Sequence, residues 1–236
     1  MQLIIAGATG LVGKEITRQS LQHENITSVV ALSRGKFELD ATTGGEKLQC
    51  VTVKDYDEYP NAALQAFAGA DACIWTVAIT PFRAPSFSFD EVERVCRDCT
   101  LAGLQAMMRA APNAGFRFLY LSAEGTPREA DANPRFMKEY QLMRGATERM
   151  VLGFKAEYPG TEVAIAQPGV VTNSTTLSRS AMASMFAVMG IFTSAIPNIR
   201  REDLASAALH QVLNGFVAET LSNAELVRLG RLQSSD

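Results

Sequence analysis

The first thirteen residues constrain this chain most. Met1–Ala6 (MQLIIA) is a short uncharged apolar run, and Gly7-Ala8-Thr9-Gly10-Leu11-Val12-Gly13 follows it directly. A helical pattern, Lys14–His23, comes next. Gly-x-x-Gly-x-x-Gly alone is a weak signal, but between a strand and a helix it is a strong one. Gly7 lets the chain turn sharply out of the strand, Gly10 lets the backbone approach a pyrophosphate, and Gly13 lets the helix pack close to the sheet. The helix N-terminus then offers unpaired N–H groups and partial positive charge to phosphates. Three spaced glycines carry a conformational cost that an ordinary βα turn does not require. Thr9, Leu11 and Val12, between the glycines, are expected to share the cofactor contact.

This segment resembles the cofactor fingerprint of the short-chain dehydrogenase/reductase superfamily. Its spacing is similar to the atypical and extended branches, among them the NmrA-like and Tat-interacting-protein-type NADP-binding proteins. The resemblance implies an α/β fold: a Rossmann-type doubly wound parallel sheet with a small C-terminal substrate lobe. It reads as one NAD(P)-binding domain over residues 1–236, with the lobe supplied from about residue 170 onward.

The bulk properties agree. A length of 236 residues suits one α/β domain, and 47% apolar residues support a full core. The net charge of −3 gives no basis for a nucleic-acid or anionic-membrane partner. Cys96-x-x-Cys99 has the look of a redox or metal half-site, but only His23 and His210 are at hand, and a zinc site normally needs four good ligands. Buried or idle thiols without a metal are the expectation for Cys50, Cys73, Cys96 and Cys99. No basic region precedes the N-terminal apolar run, so a signal peptide is not expected and the cytoplasm is.

Ser28–Leu32 reads as a second buried parallel strand, ending in Ser33-Arg34-Gly35. NAD-binding units place an acid near this point to bond the ribose 2′-hydroxyl. Here Arg34, with Ser33, suits a 2′-phosphate instead, which argues for NADP(H). Leu48–Val53 is the third strand, and the resemblance places Asp55 near the adenine. Alternatively, Asp55 and Asp57 cap a helix beginning near Glu58. Ala72–Ala78 is the fourth strand, with Trp75 in the core and Thr76, Val77 and Ala78 expected along the cofactor. The loop Ile79–Asp90 holds three phenylalanines, which either plug the core or wall an apolar substrate pocket. Glu91–Ala111 is a long helical pattern, and Phe116–Leu121 is the fifth strand.

Ser122 follows that strand, and eighteen residues later comes Tyr140, with Arg144 four positions on. The resemblance implies a serine, then Tyr-x-x-x-Lys on the next helix, where i and i+4 share a face. In that scheme the tyrosine donates a proton to the carbonyl oxygen, the serine holds that oxygen, and the cation supports the ribose and the tyrosine. Arg144 departs from the pattern, because arginine keeps its proton at ordinary pH and cannot join a relay. If the site is not functional, Tyr140 is a helix-surface aromatic and Arg144 a solvated partner of Tyr140 or Glu148.

Thr161–Ala166 is the sixth strand, and Pro168-Gly169-Val170 after it resembles the turn that passes the nicotinamide in the superfamily. An arginine often precedes that proline, where this chain has Gln167. Thr172–Thr176 is polar and within reach of a cofactor or substrate. Ala181–Pro197 is a charge-free, methionine-rich run, read as a helix that closes the substrate pocket, forms a homodimer face or fills core. A helix over Asp203–Leu213 and a last strand and helix within Glu219–Gly230 complete the chain. The expected function is an NADP(H)-dependent oxidoreductase acting on a small, rather apolar carbonyl or enone. The alternatives are a non-catalytic NmrA-type sensor contacting a protein partner, and a non-redox isomerase or cyclase.

Overall fold

In a parallel sheet covered on both faces, every strand residue is buried and alternate residues face opposite helical layers. The apolar runs at the centre of this sheet obey that rule, while the edge run Leu48–Thr52 is largely exposed. The structure, a computed structural model, describes residues 1–37, 45–172 and 197–233. Its strands are β1 (Gln2–Ala6), β2 (Ser28–Ser33), β3 (Leu48–Thr52), β4 (Ala72–Trp75), β5 (Arg117–Leu121), β6 (Glu162–Ala166), β7 (Val170–Thr172), β8 (Asn198–Arg200) and β9 (Thr220–Leu221). The helices are α1 (Leu11–Gln22), α2 (Asn61–Phe67), α3 (Phe89–Glu93), α4 (Cys99–Arg109), α5 (Lys138–Glu157), α6 (Arg201–Asn214) and α7 (Asn223–Gln233). A π turn, Arg94–Asp98, joins α3 to α4.

The main sheet has the order β3-β2-β1-β4-β5-β6-β9, parallel throughout. Leu3, Ile5, Val29, Ala31, Ile74, Leu119 and Ala164 face the layer of α1, α6 and α7. Their neighbours Ile4, Ala6, Val30, Leu32, Trp75, Phe118 and Ile165 face the layer of α2, α3, α4 and α5. This is the Rossmann-type doubly wound arrangement expected from sequence. Of the C-terminal segment, α6, β9 and α7 complete the main sheet and its cover, while β7 and β8 form a separate parallel pair. Among the described residues, no helix is long and apolar enough to cross a membrane.

Several boundaries differ from the sequence expectation for identifiable reasons. The first helix starts at Leu11 rather than Lys14, with Gly10 as its extended N-cap, so Leu11, Val12 and Gly13 form its first turn. The helix expected near Glu58 starts at Asn61 with Pro60 at its N-cap, so neither Asp55 nor Asp57 caps it. Proline disfavours helical backbone in the residue before it, which holds the start at this point. The fourth strand ends at Trp75, leaving Thr76, Val77 and Ala78 in the loop beyond. The long helix begins at Phe89, where Ser88 Oγ accepts the Glu91 N–H at 3.3 Å. Asn173–Thr176 and residues 181–196 of the methionine-rich run lie outside the described residues.

Candidate functional site

The sheet order reverses between β1 and β4, where ligands of such folds bind beyond the carboxyl ends of the strands. The glycine turn sits there. Gly7 has φ +84°, which favours glycine, and its N–H donates to the Leu32 carbonyl at 3.0 Å. The Gly10 N–H donates to Gly7 O at 2.9 Å. A methyl group at Gly13 would collide with the Gly7 carbonyl, so the helix start lies directly on the turn. The N-cap of α1 has no side-chain hydrogen bond and its first turn no acidic residue. The leading N–H groups of α1 are therefore left to a ligand or solvent, and the dipole favours an anion. Thr9 and Leu11 are exposed here. Opposite, Thr76 Oγ1 donates to the Ala6 carbonyl at 2.7 Å, while Val77 is buried and Ala78 half-buried.

At the end of β2 the Ser33 hydroxyl is buried and donates to Gly35 O at 2.5 Å. Arg34 next to it is half exposed, with its guanidinium carbon 5.8 Å from the centre of the Tyr56 ring and Nη1 3.9 Å from Asp55 Oδ1. Asp55 accepts from the Tyr56 N–H at 2.7 Å and from Arg94 Nη2 at 2.9 Å. Partial burial works to raise its pKa, but these two hydrogen bonds with the charges of Arg94 and Arg34 outweigh it, and the carboxyl lies below its ordinary value. Arg94 also meets Asp57 at 2.7 Å and Glu91 at 2.8 Å. Sequence reading missed Arg94. Its i, i+3 pairing with Glu91 is visible in the sequence, but its tie to Asp55, 39 positions away, is not.

Ser122, Tyr140 and Arg144 are all withdrawn from solvent, which overturns the surface alternatives for the tyrosine and the arginine. Arg144 is 2% exposed; its Nη2 donates to the Leu121 carbonyl at 2.9 Å and its guanidinium carbon lies 5.0 Å from the Tyr120 ring centre. Arg144 Nε and Nη1 and Ser122 Oγ are buried without a hydrogen-bond partner among the described residues. Tyr140 donates its hydroxyl to the Ile79 carbonyl at 3.0 Å. Burial pushes the Tyr140 phenol up to about 12, against the pull of Arg144. The Ile79 N–H in turn donates to Cys96 Sγ at 3.3 Å, so the π turn braces the acceptor of the tyrosine. Met137, at the N-cap of α5, has φ +44°, a strained conformation for a non-glycine residue.

Beside Tyr140 lies a cavity of about 460 Å³, walled by Ala84, Phe87, Phe89, Val92 and Met137. Phe87 and Phe89 of the aromatic loop thus line a pocket rather than plug the core, each 38% exposed.

The surrounding turns are braced by polar contacts. Glu148 is fully buried, accepting from Arg128 Nε at 2.7 Å and from Gln167 Nε2 at 2.9 Å. Gly145 leaves room for the Pro127 carbonyl to cross α5. The Pro168 carbonyl accepts the Glu124 N–H at 2.9 Å, the Gly169 N–H donates to Asn223 Oδ1 at 2.8 Å, and the Val170 N–H donates to Pro197 O at 2.9 Å. Cys73, Cys96 and Cys99 are buried and Cys50 is exposed; burial pushes the Cys99 thiol up to about 12. Among the described residues no group of three or more His, Cys, Asp or Glu side chains is placed to hold a metal ion.

The parallel sheet with a glycine turn at its switch point defines a dinucleotide-binding Rossmann protein. A family model described as NAD(P)H-binding matches residues 7–214, and the chain belongs to this NAD(P)H-binding family. No curated protein matches the chain at a significant level. Among solved structures, MoeE5 in complex with UDP-glucuronic acid and NAD is 18% identical at a TM-score of 0.68, over 94% of this chain and 75% of that one. A short-chain dehydrogenase/reductase of Saccharomyces cerevisiae is 12% identical at a TM-score of 0.68, over 97% of this chain and 98% of the other. The uronate dehydrogenase of Agrobacterium tumefaciens is 15% identical at a TM-score of 0.64, over 94% and 76%. These likenesses are likenesses of fold, and they agree with the superfamily resemblance read from the glycine turn.

Proposed function

We propose that this protein is an NADP(H)-dependent oxidoreductase of the short-chain type, acting on a small, rather apolar carbonyl or enone. The observation that carries this reading is Tyr140: its side chain borders an apolar cavity, and one helical turn further on Arg144 is buried with two unpartnered N–H groups. The residues present fit the cofactor, since the glycine cradle has no room for an added methyl at Gly13 and the α1 N-terminus is uncapped. When bound, a nicotinamide dinucleotide exchanges a hydride with the substrate carbon.

In this reading Gly7, Thr9, Gly10, Leu11, Val12 and Gly13 hold the diphosphate. Arg34 pairs with the 2′-phosphate, with Ser33 shaping the turn beside it, and Asp55 accepts from the adenine amine. Thr76, Val77 and Ala78 flank the cofactor on one side and Pro168, Gly169 and Val170 on the other. Arg144 Nε and Nη1 donate to ribose hydroxyls. Ser122 Oγ and the Tyr140 phenol hold the carbonyl oxygen, and Tyr140 transfers the proton. Arg144 keeps its own proton, so it acts through charge and not as a relay. The whole of residues 1–236 serves as one cofactor-binding domain, with the substrate lobe drawn from about residue 170 onward.

The test is label transfer. Purified protein is incubated with NADPH deuterated at C4 on either face and a metabolite extract of its source. A deuterated product that disappears with Tyr140→Phe is the expected result. No label from a preparation that binds NADPH would overturn the reading.

One observation favours a second reading, a non-catalytic NmrA-type sensor: the Tyr140 hydroxyl is already given to the Ile79 carbonyl. A sensor would bind oxidised and reduced cofactor with very different affinities and leave both unchanged.

A further inference from the structure

The Arg34 guanidinium stands in an acidic neighbourhood. Asp55 is 3.9 Å away, and Asp55, Asp57 and Glu91 are gathered on one cation, Arg94. Arg94 holds Asp55 through a 2.9 Å hydrogen bond, while the Arg34–Asp55 separation is beyond hydrogen-bond length. The other Asp55 oxygen is occupied by the Tyr56 N–H at 2.7 Å. The Tyr56 ring lies under Arg34. Among the described residues, Arg34 thereby has no carboxylate within hydrogen-bond length. Arg94 is the first residue of the π turn, a local geometry frequent at functional sites.

We propose that Arg94 is a specificity-determining residue for the cofactor: by engaging Asp55, Asp57 and Glu91 it keeps Arg34 available to a 2′-phosphate. The proposal rests on the NADP(H) reading above. Without Arg94, the three carboxylates lose the cation that gathers them, and Arg34 already stands 3.9 Å from Asp55. Asp55 would close the short remaining distance, and the arriving phosphate would meet net negative charge. Arg94 makes no contact with the phosphate in this scheme. It is a positioning residue, and its signature is a change in the ratio of two affinities rather than in either alone.

The test is calorimetric titration of the full chain with NADPH and with NADH. Arg94→Gln is expected to lower the NADPH-to-NADH affinity ratio about three- to fivefold, the range of a partly exposed ion pair. Adding Asp55→Asn to that variant is expected to restore the ratio, because the carboxylate that would cover Arg34 is gone. An unchanged ratio in Arg94→Gln overturns the proposal. If Arg94→Gln does not fold, Arg94→Met, which keeps the length of the side chain, decides in its place: a lowered ratio supports the proposal and an unchanged or raised one overturns it. Arg34→Gln is the independent control. If it leaves the ratio unchanged, or if the wild-type protein has no NADPH preference, the NADP(H) reading itself fails. If Arg34→Gln abolishes the preference and Arg94→Gln does not, only the role of Arg94 fails.

Discussion

Arg144 Nη2 donates to the carbonyl oxygen of Leu121 at 2.9 Å, and this is its one hydrogen bond among the described residues. A guanidinium 2% exposed, with two N–H groups unpartnered among the described residues, carries a desolvation cost that the charge of Glu148, one helical turn on, offsets only through space. Replacing it by an apolar side chain of similar length removes the cost of burying those unsatisfied N–H groups. Arg144→Met is therefore expected to unfold within about 1 kcal/mol of the wild type or above it, and to lose cofactor affinity. Paired urea melts and NADPH titrations check both halves. A large loss of stability would show that the residue is structural.

Glu148 and Arg128 form an unequal pair. The carboxylate is fully buried, whereas the Arg128 side chain is 30% exposed. Arg128→Ala strands a buried carboxylate and is expected to cost about 3 kcal/mol or more. Glu148→Gln leaves an arginine that can reach water and is expected to cost about 1–2 kcal/mol. Chemical denaturation of the two variants measures the order.

Phe87 and Phe89 wall the cavity beside Tyr140 and remain well exposed. The double variant Phe87→Ala/Phe89→Ala is expected to shift the melting temperature by only a few degrees. For an apolar carbonyl substrate its KM should rise about tenfold, because the shortened wall leaves apolar substrate surface in water. Steady-state kinetics on the product class found by label transfer provide the check.

Three buried tyrosines and the half-buried Tyr59 set an alkaline limit. Burial pushes Tyr56 and Tyr140 up to about 12, and raises Tyr59 and Tyr120 further. An unfolded tyrosine titrates near 10. Above that pH the unfolded chain has lost protons that the folded chain keeps, so fewer protons are bound on unfolding and stability falls as pH rises. The stabilisation is complete below pH ~10 and lost through about pH 12. Urea midpoints measured from pH 8 to 11.5 should be level at first and then decline, and tyrosinate absorbance should rise together with unfolding.

The fold was legible because its signals are local. Met1–Ala6, the three glycines and the helix after them specify one βα unit, and the apolar runs at Ser28–Leu32, Ala72–Ala78, Phe116–Leu121 and Thr161–Ala166 supply four more strands of the parallel sheet. Ser122, Tyr140 and Arg144 were legible as a spacing, and Trp75 as core. What escaped depends on distant charges meeting. Nothing near Asp55 in the chain announces Arg94, and nothing near Glu148 announces both Arg128 and Gln167. The strained Met137 and the π turn escaped for another reason, since a periodicity argument assumes one helical repeat throughout.

That π turn has a consequence for the rod it interrupts. In an α-helix each residue advances about 100° around the axis. One residue of extra winding rotates the whole downstream segment relative to the upstream one. Upstream, Val92 faces the cavity beside Tyr140; downstream, Gly103 faces Trp75 so closely that a methyl group would strike the indole. The two halves behave as differently indexed parts on a single axle, and removing one residue between Arg94 and Asp98 would turn one against the other by about 100°, so that Val92 at the cavity and Gly103 at the tryptophan could not both stay in place.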